Sequence, residues 1–426
     1  MAVQDENLAA DDRSVVRRTF SSLKVRNYRY YFAGQGLSMI GTWMQGVTQS
    51  WLVYTFTHSG FDVGLVVALQ TLPILLLGPL GGTVADRFSK HRILFWTQGL
   101  AGVEALALGG LDLGGALHLW VLYAMAVLLG LINTVDNPTR QTFISEMVGD
   151  SELKNAVTLN AIMVNVARSV GPAVAGVLIA TVGSGWCFLA NGVSFVFVLI
   201  SLAAMRKDEL FPAPPSQKMK GQLSEGFRYV AATPLLRDAL VMMAMVGCLT
   251  YEFQVTLPLI AGNVLHGGPQ TYGSLMAVMG VGAVIGGLIS AGRPGSGINR
   301  LIGTSAIFGV TVLAASLAPS VLTEEVLLFV VGGASVTFLA LGSATLQLNA
   351  APSMRGRVMA LWSVAFLGST PIGGPLVGFI GGALGARSAL GVGALAAFIA
   401  AGYGWLRNRG NREISSTGAD PAVLKV

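Results

Sequence analysis

Residues 63–92 read VGLVVALQTLPILLLGPLGGTVADRFSKHR, and this stretch decides the class of protein. No charged side chain occurs from residue 63 to residue 85, whereas the next seven residues include Asp86, Arg87, Lys90 and Arg92. An apolar run of about 20 residues has the length that crosses the hydrocarbon core of a bilayer. Such a run must be helical, because lipid offers the backbone no hydrogen-bond partners. The stretch therefore predicts a membrane-spanning helix that ends at a charged loop.

The composition extends this interpretation to the whole chain. The 426 residues are 53% hydrophobic and 11% charged, whereas ordinary soluble domains carry about 25% charged residues. We therefore expect an all-α membrane protein without a sizeable soluble domain. The apolar runs predict twelve transmembrane helices, at residues 27–54, 62–85, 93–111, 118–140, 155–181, 186–205, 238–261, 270–292, 300–318, 325–350, 357–382 and 387–406.

One long polar stretch, residues 206–237, divides these spans into six and six. We expect a cytoplasmic N-terminal tail at 1–26, an N-terminal six-helix bundle at 27–205 and a cytoplasmic linker at 206–237. A C-terminal six-helix bundle at 238–406 and a cytoplasmic C-terminal tail at 407–426 complete the prediction.

The distribution of lysine and arginine predicts the orientation. If the N-terminus is cytoplasmic, 25 of the 27 basic residues fall on the cytoplasmic side or in the tails. Loops on that side normally carry the excess of lysine and arginine. We therefore expect a multi-pass protein of a bacterial inner membrane with both termini in the cytoplasm. The net charge of +6 reflects this orientation and does not indicate a nucleic-acid surface.

Two short motifs repeat along the chain at nearly the same spacing. The segment 81–86 reads GGTVAD, and 205 residues later the segment 286–291 reads GGLISA. The segment 171–176 reads GPAVAG, and 203 residues later the segment 374–378 reads GPLVG. These matches predict that the two halves arose by duplication. Because each half has six spans, both halves share one orientation and form a parallel repeat.

The segment 82–92 resembles the loop signature of the major facilitator superfamily, with its Gly-x-x-x-Asp-Arg core at Gly82, Asp86 and Arg87. Serine stands at position 89, where the signature usually has glycine. Two further segments, 136–141 (DNPTRQ) and 160–176, are similar to the branch that contains the enterobactin exporter and macrolide efflux proteins. The resemblance covers residues 24–406 and implies the major facilitator fold and transport by alternating access.

The resemblance also implies roles for two motifs. It suggests an inner gate, for which the candidate residues are Gly82, Asp86, Arg87, Lys90, Arg92, Asp136 and Arg140. The alternative is that these are ordinary interfacial charges. The Gly-Pro pattern of the fifth span, at Gly171, Pro172 and Gly176, is similar to the antiporter signature of the superfamily. Simple helix packing is the alternative for this motif.

The sequence shows no sign that the chain hydrolyses ATP, which leaves an ion gradient or passive transport. It contains no phosphate-binding loop of the Gly-x-x-x-x-Gly-Lys-[Ser/Thr] type and no hydrolase or metal motif, so an enzyme, a cofactor and a metal site are not indicated. Glu104, Glu252 and Arg168 lie near the middle of predicted spans. Ionisable groups at that depth are functional candidates. Two hypotheses follow. In the first, one of the two glutamates carries the proton and Arg168 modulates its proton affinity. In the second, Arg168 forms a permanent ion pair with one of the glutamates.

Polar residues of the first, fourth, seventh and tenth spans should meet the substrate, as the resemblance implies. The candidates are Gln45, Gln49, Asn133, Tyr251, Gln254, Gln347 and Asn349, and hydrogen bonds between helices are the alternative explanation for each. Their mostly apolar surroundings favour a bulky amphipathic small molecule, such as a drug or a siderophore. We therefore expect a monomeric, proton-coupled exporter. The alternatives are an uptake carrier and a membrane sensor or assembly protein that transports nothing.

Overall fold

The computed structural model describes residues 20–211, 222–291, 296–352, 354–366 and 368–416, with backbone only at residues 222, 223, 291 and 410–416. Most of the predicted N-terminal tail, the middle of the predicted linker and the last ten residues of the C-terminal tail lie outside these ranges. The predictions for those segments therefore remain expectations.

The regular structure in the described ranges is helical, which confirms the predicted all-α class. Short 3-10 turns occur at Ser21–Lys24 and Lys207–Glu209, and one π-helical turn occurs at Ile260–Val264. The α-helices are α1 (Arg26–Thr57), α2 (Gly60–Arg87), α3 (Lys90–Leu113), α4 (Leu119–Thr181), α5 (Ser184–Ala203), α6 (Gln222–Ala232), α7 (Pro234–Leu249), α8 (Phe253–Leu259), α9 (Pro269–Ala291), α10 (Ile298–Ser316), α11 (Val321–Asn349), α12 (Arg355–Phe366), α13 (Thr370–Leu384) and α14 (Ala386–Ser416).

Ten helical segments among the described residues are long and apolar enough to cross a membrane. The predicted first span lies in α1, which is helical but outside this set because glutamines and other polar residues interrupt it. The predicted fourth and fifth spans both lie in α4 and count once. The ten segments are Gly60–Arg87, Lys90–Leu113, Leu119–Thr181, Ser184–Ala203, Pro234–Val264, Pro269–Ser290, Ile298–Ser316, Val321–Asn349, Arg355–Leu384 and Ala386–Arg409.

Helix α4 is 63 residues long and is interrupted at Gly149, whose φ of 66° and ψ of −177° are not helical. The sequence predicts a loop from 141 to 154, but the chain is helical on both sides of this glycine. The reason is packing. Phe143, Ile144 and Met147 are buried in one apolar cluster with residues of α1, α3 and α5, which stabilises helix where the sequence predicts a connection.

The predicted seventh and eleventh spans are also interrupted. The seventh is divided between α7 and α8 by Thr250, Tyr251 and Glu252. The eleventh is divided between α12 and α13, with Gly368 and Ser369 in a turn between them. The sequence predicts both spans as continuous helices, and the structure corrects this.

The contacts divide the chain into two compact units. Unit 1 comprises Met1–Gln49 and Leu76–Gln217, and unit 2 comprises Ser50–Leu75 and Lys218–Val426. Within unit 2, the Tyr54 hydroxyl donates to Oδ1 of Asn263 at 2.7 Å, and the Trp51 and Tyr272 rings stack with centroids 6.0 Å apart. These contacts explain why the last part of α1, from residue 50 onward, belongs to unit 2.

Glycines bring helix backbones into direct contact inside each unit. In unit 1 a Cβ at Gly81 would overlap the carbonyl of Thr134, so α2 lies against α4. In unit 2 a Cβ at Gly286 would lie 2.6 Å from the carbonyl oxygen of Gly333, so α9 lies against α11. Small residues at such crossings allow the close helix packing that is typical inside membranes.

Candidate functional site

Glu252 lies at the interruption between α7 and α8 and is 3% exposed. One carboxylate oxygen, Oε1, is buried without a hydrogen-bond partner, and the Thr370 hydroxyl at the start of α13 hydrogen-bonds the carboxylate. The two interrupted spans therefore meet at this side chain. A carboxylate with one unsatisfied oxygen in a buried position is poised to take up a proton or another cation.

Two side-chain hydrogen bonds and one close helix contact fix the non-helical residues around Glu252. The Thr250 hydroxyl donates to the carbonyl of Gly393 at 2.7 Å, and the Tyr251 hydroxyl donates to the carbonyl of Ser335. These bonds connect the non-helical residues to α14 and α11. A Cβ at Gly373 would lie 1.7 Å from the carbonyl oxygen of Cys248 and 3.1 Å from Oε1 of Glu252, so glycine at this position lets α13 pack against the backbone of α7 beside the carboxylate.

Glu104 of α3 is also buried, at 2% exposure, but it belongs to a chain of amides in unit 1. Nε2 of Gln45 donates to Oε2 of Glu104 at 3.0 Å. Nδ2 of Asn191 in turn donates to Oε1 of Gln45 at 2.7 Å. Oε1 of Glu104 is buried without a partner. This chain joins α1, α3 and α5, and it lies within continuous helices.

Arg168 of α4 lies over the indole of Trp43 in α1, with its guanidinium carbon 5.1 Å from the ring centroid. The Gly-Pro motif lies one turn away on the same helix. A Cβ at Gly171 would lie 2.7 Å from both the carbonyl oxygen of Ile40 and Cβ of Trp43. Gly171, Pro172 and Gly176 are all buried. The motif therefore packs α4 directly against α1.

Three of the predicted gate residues, Lys90, Asp136 and Arg140, lie in two side-chain clusters of unit 1. Lys90 forms an ion pair with Glu146, a residue that the sequence did not single out. In the second cluster, Oδ1 of the buried Asp136 accepts hydrogen bonds from Thr97 at 2.7 Å and from Gln98 at 2.8 Å.

Arg140 joins the second cluster, because its Nη2 lies 3.5 Å from Oδ2 of Asp136. The same nitrogen donates to Oδ1 of Asn137 at 2.7 Å. Asp86 and Gly82 are half-buried, and Arg87 and Arg92 are exposed. A Cβ at Gly82 would meet open space, unlike one at its neighbour Gly81.

The predicted substrate-contacting residues differ in their surroundings. Gln45 and Gln49 are buried and bonded within unit 1, Gln49 through its Nε2 to the carbonyl of Leu122 at 3.0 Å. Nδ2 of Asn349 donates to the carbonyl of Thr345 at 2.8 Å. The other candidates lie at half-buried positions (Asn133, Tyr251 and Gln254) or, like Asn349, at exposed ones (Gln347).

Besides Glu146, two further buried carboxylates were missed by the sequence reasoning. Glu324 is 1% exposed near the start of α11, with Arg387 as its electrostatic neighbour. Asp238 at the start of α7 accepts from Arg237 at 3.0 Å and from the Tyr403 hydroxyl at 3.0 Å. Both lie at the edges of predicted spans, where the sequence gives no sign of burial. Within the described residues no group of three or more His, Cys, Asp or Glu could hold a metal ion.

Comparison with known proteins identifies the family. Residues 17–413 match the family described as transmembrane secretion effector. The staphyloferrin A transporter of Staphylococcus aureus is 26% identical over 263 residues, which cover 61% of this chain and 66% of that protein. The enterobactin exporter EntS of Shigella flexneri is 26% identical over 362 residues, covering 83% of this chain and 85% of that protein.

Solved structures share the fold at low sequence identity. A bacterial homologue of the human lysosomal transporter Spinster matches with a TM-score of 0.72 at 17% identity, over 90% of this chain and 97% of that chain. The nucleoside transporter NupG matches with a TM-score of 0.72 at 12% identity, over 90% of this chain and 99% of that chain. With the helical architecture and the matched family, these findings confirm the resemblance: the chain belongs to the transmembrane secretion effector family of the major facilitator superfamily, and it is a multi-pass membrane transporter rather than an enzyme.

Proposed function

We propose that this protein is a proton-coupled antiporter that exports a bulky amphipathic small molecule by alternating access. The observation that carries the proposal is Glu252, a buried carboxylate with an unpartnered oxygen at the interruption of a membrane helix. In transporters, substrate and coupling-ion sites are typically built at such discontinuous helices. The enterobactin exporter EntS is similar to this chain over most of its length, and its name supports export of a siderophore or a related metabolite.

The proposal includes twelve spans in two parallel repeats, with both termini in the cytoplasm. A straight helix of 63 residues would be about 95 Å long, roughly three times the thickness of the hydrocarbon core. Two crossings within α4, turning near Gly149, accommodate this length. The repeated glycines also make equivalent contacts, since Gly81 and Gly286 each pack the second span of a half against the fourth.

Glu252 is a better proton carrier than Glu104 for a geometric reason. Both glutamates are buried and both have one unpartnered oxygen. Glu104 is held in a chain of amides between continuous helices, which favours a role in joining α1, α3 and α5. Glu252 lies where the backbone of two adjacent spans is already interrupted, so small backbone movements would change its access to either side of the membrane.

The coupling of proton movement to substrate transport then follows from the free-energy cost of an unpaired charge in the membrane. An ionised carboxylate without a partner is expensive at mid-membrane depth. Proton uptake from outside neutralises Glu252 and permits the transition that carries the proton inward. Release of the proton to the cytoplasm restores the charge on Glu252. The charged transporter then stays open to the cytoplasm until substrate binds. The membrane potential adds about 2.3 kcal/mol per elementary charge at 100 mV.

The experiment uses inverted membrane vesicles that contain the full-length protein and are energised to an acidic interior. Enterobactin and amphipathic cations are added in turn, and a pH dye follows the interior. We expect substrate-triggered proton release that is lost in Glu252→Gln and kept in the matched control Glu104→Gln. The reverse pattern would move the proton site to Glu104. Substrate accumulation without proton movement in the unchanged protein would refute proton coupling.

The inner gate gives a separate prediction. We propose that Asp86 and Arg87, with Lys90, Arg92, Asp136 and Arg140, brace the cytoplasmic side when it is closed. Asp86→Asn removes one charge and keeps the shape of the side chain. We expect at least a tenfold loss of transport rate, about 1.4 kcal/mol, with unchanged membrane insertion as measured by immunoblotting of washed membranes. Normal efflux in this variant would refute the gate assignment.

A further inference from the structure

Two glycines of α2 and two of α13 bring these helices into backbone contact within unit 2. A Cβ at Gly60 would overlap the carbonyl of Gly378, and a Cβ at Gly378 would overlap the carbonyl of Gly60. One turn away, a Cβ at Gly64 would overlap the carbonyl of Gly374. The order of these pairs shows that the two helices run antiparallel and touch over a full turn. Backbones this close leave no space for water between them.

One end of this contact touches Glu252. A Cβ at Gly374 would lie 3.1 Å from the carbonyl oxygen of Gly64 and 3.4 Å from Oε2 of Glu252. The other carboxylate oxygen, Oε1, lies beside Gly373 and is buried without a hydrogen-bond partner. The carboxylate therefore lies next to α2 as well as between the two interrupted spans.

The depth of the contact follows from the proposed topology, in which α2 starts at the outer face of the membrane and α13 ends there. The pair formed by Gly60 and Gly378 then lies between Glu252 and the outside. The hydrogen bond between Tyr54 and Asn263 joins α1 to the π-helical turn at the same end of unit 2. In that topology these contacts cover Glu252 on its outer side.

The charge of Glu252 acts against this closed arrangement. Among the described residues, the groups that face the carboxylate are the Thr370 hydroxyl and the Cys248 thiol, and neither is a cation. Removing water from an ionised carboxylate is costly when no cation replaces it. The closed contact should therefore form more easily when Glu252 carries a proton than when it is ionised.

We propose that the crossing of α2 and α13 at Gly60, Gly64, Gly374 and Gly378 is the outer seal of the transporter, and that the charge on Glu252 sets its strength. The inference rests on the proposed function and deepens it by naming the helices that separate when the outer side opens. An ionised Glu252 weakens the seal, so that bound substrate can open it. Protonation strengthens the seal and keeps the outer side closed while the proton leaves inward.

The two native cysteines report separately on the seal and on the fold. Cys248 is half-buried one turn before Glu252, so it should react from the outside when the seal opens. Cys187 is fully buried in α5 of unit 1 and should stay unreactive while the fold is intact. Spheroplasts that contain the full-length protein are treated at fixed pH with the membrane-impermeant thiol reagent sulfonatoethyl methanethiosulfonate. Peptide mass spectrometry follows the labelling of each cysteine.

Three variants separate the seal from other effects. Gly64→Ala inserts a methyl group into the crossing and should speed the labelling of Cys248 at least about tenfold, because overpacking destabilises the closed contact. The matched control Gly78→Ala adds the same group to the same helix, where it meets open space, and should leave the rate unchanged. Glu252→Gln adds no bulk and removes the charge, so it should slow the labelling at least about threefold.

Several outcomes would overturn the proposal: an unchanged rate in Gly64→Ala, an equal increase in Gly78→Ala, or an unchanged or faster rate in Glu252→Gln. Labelling of Cys187 in Gly64→Ala would mean that the added methyl group loosens the whole fold, and the rate in Glu252→Gln would then decide. The measurement uses no substrate and no imposed proton gradient. It can therefore fail although antiport is correct, and it can succeed although transport proves to be passive.

Discussion

At the scale of single residues, the sequence predicts which side chains are buried better than it predicts their hydrogen-bond partners. Glu104 and Glu252 lie within long apolar runs, so their burial follows from the runs. The bond between Glu104 and Gln45 joins residues 59 positions apart on different helices, and no local pattern encodes it. Glu324 was missed because it lies at the edge of a predicted span, and only carboxylates near the middle of spans were candidates.

Asp136 makes a prediction at this scale. Its carboxylate accepts two short hydrogen bonds and neighbours Arg140. Hydrogen bonds to charged groups contribute about 1.5–3 kcal/mol each, so Asp136→Asn should lower the free energy of unfolding by about 1–3 kcal/mol. The measurement is the midpoint of denaturant unfolding of the purified protein. Asp150→Asn, an exposed position on the same helix, should leave the midpoint unchanged.

At the scale of helices, apolar length predicts where spans lie but not where they are interrupted. The interruption at Thr250–Glu252 depends on bonds to α11 and α14, which are distant in sequence. The opposite failure occurs at residues 141–154. There the sequence is polar enough to suggest a loop, and packing of Phe143 and Met147 against α1, α3 and α5 stabilises helix instead.

Adjacent glycines in α2 allow a matched test of helix contact. Gly81→Ala would push a methyl group into the carbonyl of Thr134, whereas Gly82→Ala meets open space. Overpacking of this kind costs about 1–3 kcal/mol. We expect thermal unfolding monitored by size-exclusion chromatography to show a clear loss of stability for Gly81→Ala and none for Gly82→Ala. Equal stability of the two variants would show that α2 and α4 separate easily.

At the scale of the whole molecule, the sequence predicts one division, at the polar linker, whereas the contacts add two further divisions, one within α1 and one within α2. The difference has a physical cause. Sequence patterns report where the chain is polar, and contacts report what each segment packs against. Trp51 and Tyr54 belong to unit 2 because their partners Tyr272 and Asn263 do, although they lie within the predicted N-terminal bundle.

The two crossings of α4 can be tested by cysteine labelling. Cys187 and Cys248 are first replaced, and single cysteines are introduced at the exposed positions His118, Asp150 and Val182. A membrane-impermeant maleimide applied to intact spheroplasts should label residues 118 and 182 and leave residue 150 unlabelled. Labelling of residues 118 and 182 from opposite sides would mean that α4 crosses only once.

The amide chain that ends at Glu104 has a direction. Asn191 donates to Gln45, and Gln45 donates to the carboxylate, so every donor points toward the charge. A proton on Glu104 Oε2 would turn this group into a donor. Gln45 would then have to present its oxygen and rotate by half a turn, and Asn191 would follow, with the Ser194 hydroxyl as a partner that can reverse its role. Protonation of one side chain would thus change the orientation of two others. The change would link three helices without moving their backbones.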